Sequence, residues 1–307
     1  MNWLSKRPYI VFILPGFLLY TALVIYPIFS ALSVSLTHWN GIGERTFVGI
    51  ANYLELFREP ALSSQFTNAL GNNLRLFLMA LLVTTPLQIY TAYLIYCRVT
   101  GSGFAQVMVF APQFISSPII VLMGILLLDS NVGIINRIIH VVAGPQYVQQ
   151  WLGSPRYAIF AVWGLMTFAG FGIGTLFLVG AMRMIPDEMI EAGRIDGAGH
   201  WQTLFRIVLP QIKGTIFNLA ILAYIVMMTV FDVNYVLGGS SGGINYSYDS
   251  MALFFYRVAF GNIGAMGGTL SANSMGMGTT IAVCMFVITF VFSIVQVVFI
   301  YGKRAEE

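Results

Sequence analysis

Six apolar runs, each about 20 residues long or longer, constrain this chain more than any other feature. They fall at about residues 9–36, 74–97, 104–128, 157–182, 215–237 and 279–301. A run of that length with few charges is what a helix needs to cross the hydrocarbon core of a bilayer. Composition agrees: 58% of the residues are apolar and only 9% are charged, against roughly 25% in a soluble domain. Such a chain has too little polar surface to clothe a water-soluble globule. The expectation is an all-α membrane protein with about six transmembrane helices.

The first run contains Pro15 and Pro27, which a membrane helix tolerates when neighbouring groups satisfy the freed carbonyls. Lys6 and Arg7 precede it. The run exceeds an ordinary signal-peptide core and lacks a clean small-residue cleavage site, so the reading is a retained first helix. With the amino terminus inside, the inner segments carry nine lysines and arginines and the outer ones six. The positive-inside rule then places both termini in the cytoplasm. The segments fall into residues 1–72 (first span and a short outer piece), 73–301 (the membrane core) and a 302–307 tail. FVGIANYLELF in the outer piece reads as an amphipathic surface segment. GGSSGG at residues 238–243 reads as a flexible turn. MALFFYRVAF at residues 251–260 is too short to cross and has Arg257 in its middle, so it reads as an interfacial helix.

Several function classes are excluded or left without support. The net charge is +3 and no basic run occurs, so nucleic acid is not an expected partner. His38, His140 and His200 are far apart, and Cys97 and Cys284 are isolated in apolar surroundings. No metal site is expected. No G-x-x-x-x-G-K-[ST] loop is present to cradle a nucleotide, because Gly302-Lys303 is followed by Arg304. No Ser–His–Asp or Cys–His constellation suggests catalysis, and the chain is read as non-enzymatic. An ion-coupled secondary transporter is a rival reading. Carriers of that kind place ionisable groups deep in their spans, whereas Asp129 and Asp232 fall near predicted span ends.

One loop stands out, at residues 183–213 between the fourth and fifth spans. It uses about thirty residues where a simple connection needs a few. EAGRIDGAGHWQTLFRIVLPQI within it concentrates charge in an otherwise apolar chain. Pro186 can open a helix, and Asp187, Glu188 and Glu191 suit its positive end. Gly197 and Gly199 permit a sharp turn. Trp201, Leu204, Phe205 and Val208 then recur at helical spacing as one apolar face, and Pro210 marks the boundary before the fifth span. The pattern predicts helix, tight turn, amphipathic helix: either a solvated loop on the headgroups or a rigid elbow for a partner.

This stretch resembles the EAA signature of the permease subunits of binding-protein-dependent ABC importers. Glu191, Ala192, Asp196, Gly197, Ala198, Phe205, Ile207, Leu209 and Pro210 match that pattern in identity and spacing, while Gly193 stands in place of the second alanine and Gly214 in place of a frequent proline. With Trp201 these residues form the candidate ATPase-coupling loop. The start of the chain, FDVNYVLGG and AFGN are similar to the larger permease of carbohydrate importers related to the maltose and glycerol-phosphate systems. The large outer domain of the maltose permease is lacking, Ser240-Ser241-Gly242 departs from the usual Gly-Gly-Pro, and NSMGMGTTIAV is richer in Gly and Met.

The resemblance implies a type I ABC importer transmembrane fold with a cytoplasmic coupling helix, in a bacterial or archaeal inner membrane. It implies a second permease, two copies of an ATPase that binds ATP and Mg, and an external solute-binding protein. No cofactor is expected in this chain. The cargo it implies is a sugar or oligosaccharide, with glycerol phosphate or another small polar solute as the alternative. A sugar path needs hydrogen-bonding groups and aromatic faces in the span interior. Trp163, Thr167 and Thr175 in span four, and Asn218, Tyr224 and Thr229 in span five, offer these, though ordinary helix packing explains them as well. Spacing from the signature maps the family's sugar contacts near Gly170 and Ile173, and near Val226 and Thr229, without reproducing the maltose relative's polar groups.

Overall fold

The computed structural model describes residues 8–261 and 274–302. It divides into two compact units, residues 1–64 with 255–286 and residues 65–254 with 287–307. Among the described residues five helices are long and apolar enough to cross a membrane, and a sixth candidate is a bent pair.

In the first unit, α1 (Pro8–Tyr20) continues through a π-helical turn (Thr21–Ile25) into α2 (Tyr26–Ser35). A two-stranded antiparallel hairpin follows, β1 (Thr37–His38) paired with β2 (Thr46–Phe47), and then α3 (Ala51–Arg58). Asn52 ties these pieces together. Its buried amide donates to the carbonyls of Ser35 and Thr37, both at 2.9 Å. The only β-structure among the described residues is this hairpin.

The second unit contains the helices that form the core. The first of them, α4 (Pro60–Met79), joins α5 (Thr85–Tyr96) through a π-helical turn at Ala80–Thr84. Together they make a continuous 37-residue run. At 1.5 Å per residue that is about 55 Å, well beyond the ~30 Å hydrocarbon core. The second span is therefore longer than its apolar stretch, and helix begins inside what the sequence suggested was an outer segment. Asn72 and Asn73 are buried there. Asn73 donates to the carbonyls of Met227 and Met228 at 2.9 and 2.8 Å, capping the end of another membrane helix whose last carbonyls have no intrahelical partner.

The third span differs most from expectation. Residues 104–128 form no straight helix. Instead α6 (Ser102–Phe110) and α7 (Ser117–Leu127) meet at 104° across a short 3₁₀ turn. Pro112 and Pro118 flank the break. Each removes a backbone donor and crowds the preceding turn, so an apolar run that looks continuous folds as two pieces. The helix α8 (Ile134–Val142) follows, and α9 (Ala158–Arg183) is the unbroken fourth span.

Within the charged loop, α10 (Asp187–Ile195) leads through a turn to α11 (His200–Gln202). A π-helical turn (Thr203–Val208) then runs on into α12 (Leu209–Met228). Pro210 is not a boundary, because helix passes straight through it. The same construction recurs three times: Pro27, Pro86 and Pro210 each occupy the second position of a helix preceded by a π-helical turn. A proline ring clashes with the carbonyl four residues back, and widening the preceding turn makes room for it. Beyond α12 come α13 (Asp232–Gly238), α14 (Met251–Phe260) and α15 (Ser274–Gly302).

Two smaller expectations are corrected. The MALFFYRVAF helix is no interfacial helix: Met251, Leu253, Phe254 and Ala259 are fully buried and Arg257 nearly so. The GGSSGG segment is a packed turn rather than a loose hinge. Buried Tyr248 lies against Gly238 and Gly243, and its carbonyl accepts from Asn234 Nδ2 at 2.8 Å.

Candidate coupling loop and membrane cavity

The loop between the fourth and fifth spans is an elbow locked by its backbone. Helix α10 ends in a Schellman motif: Gly197 N–H donates to Arg194 O at 3.1 Å and Ala198 N–H to Gly193 O at 2.9 Å. That closure needs a left-handed residue, and Gly197 supplies it at φ +79°. Gly193 serves a different purpose. It is buried, and a Cβ there would displace the Ile207 Cδ1 methyl, so the departure from the usual alanine lets the two arms of the elbow touch with Ile207 in place. Gln202 turns back to accept the Gly199 N–H at 3.0 Å, and the second arm starts there.

The apolar face expected on that arm is divided. Leu204 and Val208 are buried with Tyr93, Leu178, Met182, Ile190 and Ile212, so the elbow shares a core with the ends of α5 and α9. Trp201 and Phe205 are exposed. They stack with ring centroids 6.0 Å apart, and Trp201 lies flat on Tyr90 at 5.5 Å. The widened turn at Thr203–Val208 shifts the helical phase and separates positions that ideal 3.6-residue spacing would group. Tyr93 Oη donates to His200 O at 3.0 Å and pins the elbow to the second span.

Beside the elbow is a polar recess of about 920 Å³. Arg98, Arg183, Arg194, Asp187, Glu191 and His200 line it, gathered from the ends of two spans and both arms. Of the candidate loop residues, Glu191 and Ala198 line this recess and Gly193 is buried. Ala192, Asp196 and Gly197 are exposed, as are Trp201, Phe205 and Pro210, while Ile207 and Leu209 are half-buried.

A second cavity, of about 460 Å³, lies among the spans, within the range of small-molecule sites. Gly170, Ile173 and Val226 line it, as their spacing from the signature suggests. Tyr224, Asn218, Thr229 and Trp163 do not. Tyr224 is buried in the core, stacked on Phe292 at 3.9 Å. Asn218 is exposed, and Thr229 Oγ1 donates to Ile225 O at 2.8 Å. Trp163 packs behind the wall and donates from Nε1 to Thr84 Oγ1 at 3.1 Å.

Several polar groups facing this cavity went unnoticed in the sequence: Thr84 and Gln88 from the second span, and Gln113 and Ser117 from the break in the third. Thr167 from the fourth span lines it as its place in that span suggests, and Asp232, read only as an ionisable group near a span end, reaches it from the start of α13. Thr84 Oγ1 and Thr167 Oγ1 are 3.0 Å apart, and Gln88 Nε2 donates to Phe171 O at 3.1 Å. The available signal was the interruption of apolar runs at Thr84-Thr85-Pro86 and at Ser116-Ser117-Pro118. Broken membrane helices turn polar backbone and side chains toward a cavity. Among the described residues no Lys, Arg or His lines it, and no cluster of His, Cys, Asp or Glu suits a metal.

Residues 85–304, which contain the elbow and most of the cavity wall, match the model of the binding-protein-dependent transport system inner membrane component family. The chain belongs to that family. This transport component is 28% identical to the probable ABC transporter permease protein YurN of Bacillus subtilis, over 97% of each chain. It is 28% identical to the trehalose/maltose transport system permease protein MalF of Thermococcus litoralis, over 95% of this chain and 92% of that one. Its fold is similar to a chain in the crystal structure of a bacterial ABC transporter involved in alginate import. The TM-score is 0.77 at 20% identity, over 95% of this chain and 94% of that one. As a multi-pass inner-membrane component, it forms part of a translocation path.

Proposed function

We propose that the chain is the permease subunit of an ATP-driven ABC importer for a sugar or oligosaccharide. An external binding protein delivers the solute and a separate ATPase moves the spans. The observation that carries this reading is the elbow. It is rigid by backbone closure, fused to the ends of the second and fourth spans, and presents Glu191, Trp201 and Phe205 outward. A push on it reaches the membrane helices because Leu204, Val208 and Tyr93 share one core with them.

The partners are a second, similar permease, two ATPase copies holding ATP and Mg, and the binding protein. This chain then performs no chemistry of its own and needs no cofactor. Both termini and the elbow are cytoplasmic, a reading supported by the three arginines gathered around the recess. The sugar assignment rests on the relatives whose names specify trehalose, maltose and alpha-glucosides. The cavity favours a neutral solute over a phosphate ester. A phosphate calls for charge-assisted donors, and the cavity offers hydroxyls, amides and one carboxylate.

The test is Glu191→Lys in the purified complex reconstituted with its binding protein. Thermal stability should hold, because Glu191 is exposed. Uptake should fall at least about tenfold, the equivalent of one lost interaction of 1.4 kcal/mol, with ATP hydrolysis uncoupled or the ATPase released. Normal uptake would overturn the coupling role.

A further inference from the structure

The helix α8, between the broken third span and the fourth, turns much of its apolar surface outward. On a water-facing helix the apolar stripe turns toward the protein. Here Ile134, Ile138, Val141 and Val142 recur at i, i+4, i+7 and i+8, and all point outward. Ile138 is 57% exposed, Val141 83% and Val142 81%. The side turned inward carries Asn136, buried at 4% exposure, between half-buried Ile135 and Ile139.

Asn136 holds the helix in this orientation. Its Nδ2 donates to Gln149 O at 2.8 Å, and its Oδ1 accepts from Trp151 Nε1 at 3.0 Å and from the Gln149 N–H at 3.3 Å. Rolling the helix to bury its apolar stripe would leave that amide and its partners unsatisfied, and an unmet buried polar group is costly. The connection from α7 is equally fixed. The Asp129 carboxylate accepts the N–H groups of Asn131 and Val132 at 2.8 and 2.9 Å, and Gly133 N–H donates to Asp129 O at 3.1 Å. The helix is thus held close to the end of a membrane span.

We propose that α8 lies in the plane of the membrane, its Ile134–Val142 stripe sunk into the boundary between lipid headgroups and acyl chains. Continuity with the bilayer surface argues for lipid as the occupant. The stripe follows directly on α7, whose Ile119, Leu122 and Leu126 are exposed, and the chain re-enters the membrane at α9. Nine residues span only about 14 Å, too short to cross. Arg137 and His140 flank the stripe, where a long basic side chain reaches the headgroups. Tyr147, Trp151 and Tyr157 follow, the residue types that gather at the interface. The stripe itself is aliphatic and free of the aromatic and arginine anchors that dominate protein–protein contacts. This inference needs only that the chain is a membrane protein and stands apart from the choice of solute or motor.

The test is site-directed spin labelling of the assembled transporter in lipid nanodiscs, in a C97A/C284A background. Labels go singly at Ile138, Val141, Arg137 and His140. The measurement is the ratio of collision with oxygen, which partitions into lipid, to collision with a water-soluble nickel chelate. Lipid contact predicts a ratio several-fold higher at 138 and 141 than at 137 and 140, unchanged when the binding protein is added. Nickel accessibility at all four positions would overturn the proposal. So would shielding of 138 and 141 from both reagents, the mark of a protein partner, or oxygen contact that disappears on adding the binding protein. Asn136→Ala supplies a second reading: freeing the inward side should lower the contrast between the two pairs of labels. An unchanged contrast would count against Asn136 as the orienting residue.

Discussion

The elbow and the membrane cavity are neighbours on the same spans, yet they are built by opposite means. The elbow is shaped by backbone: a left-handed Gly197, a Schellman closure and a close approach at Gly193. Its turn then falls where the local spacing of Gly197 and Gly199 puts it. The cavity is shaped by interruptions: the π-helical turn before Pro86, the 104° break after Phe114 and the end of α12 at Met228. These bring Thr84, Gln113, Thr167 and Asp232 together from distant parts of the chain. A local structure leaves a local signature in sequence. A cavity closed by four separate segments does not.

Substitutions can break or sharpen this contrast. The largest effect is expected at Gly193→Val. Its side chain meets Ile207 Cδ1, and overpacking of this kind costs about 1–3 kcal/mol. The assembled complex should lose thermal stability and uptake together, and Ile207→Ala should restore both by vacating the space. Failure of that rescue would detach Gly193 from the close approach. Next comes Gly197→Val, which forces a β-branched residue to φ +79° and costs about 1–2 kcal/mol. Gly197→Asn should cost distinctly less, since asparagine tolerates that region. Equal melting temperatures for the two variants would argue against a locked turn.

The cavity should respond in the other way. Thr84→Val removes the acceptor for Trp163 Nε1 and the partner of Thr167 Oγ1 at nearly constant volume. We expect about 1 kcal/mol of destabilisation but a shift in which sugars are carried, read by competition between solutes during uptake. An unaltered solute profile would remove this pair from the path. The contrast itself would fail if the elbow variants changed solute preference, or if Thr84→Val released the ATPase.

The three π-helical turns show where reading by period reached its limit. Apolar spacing marks Trp201, Leu204, Phe205 and Val208 as one face, and that would hold for an ideal helix. The turn before Pro210 shifts the phase, burying Leu204 and Val208 and leaving Trp201 and Phe205 to stack outside. Proline was visible as a feature but its consequence was not. Whether it ends a helix, kinks it or is absorbed by a wider turn depends on what packs around the freed carbonyl. The opposite outcomes at Pro210 and at the Pro112–Pro118 break illustrate this within one chain.

Sequence by itself determined the solvent, the approximate number of spans, the family signature from Glu191 to Pro210 and the turn at Gly197. Each depends on composition or on residues within a few positions of one another, where backbone sterics and transfer free energy act alone. Tertiary structure alone decided that the third span is broken, that the helix at residues 251–260 is core and that α8 turns its apolar stripe outward. It also decided which hydroxyls and amides face the cavity. These outcomes turn on which partner a buried polar group finds, as Asn136 finds Gln149 and Trp151. A buried amide without partners is costly, so at α8 the hydrogen bonds of Asn136 help decide which side turns inward.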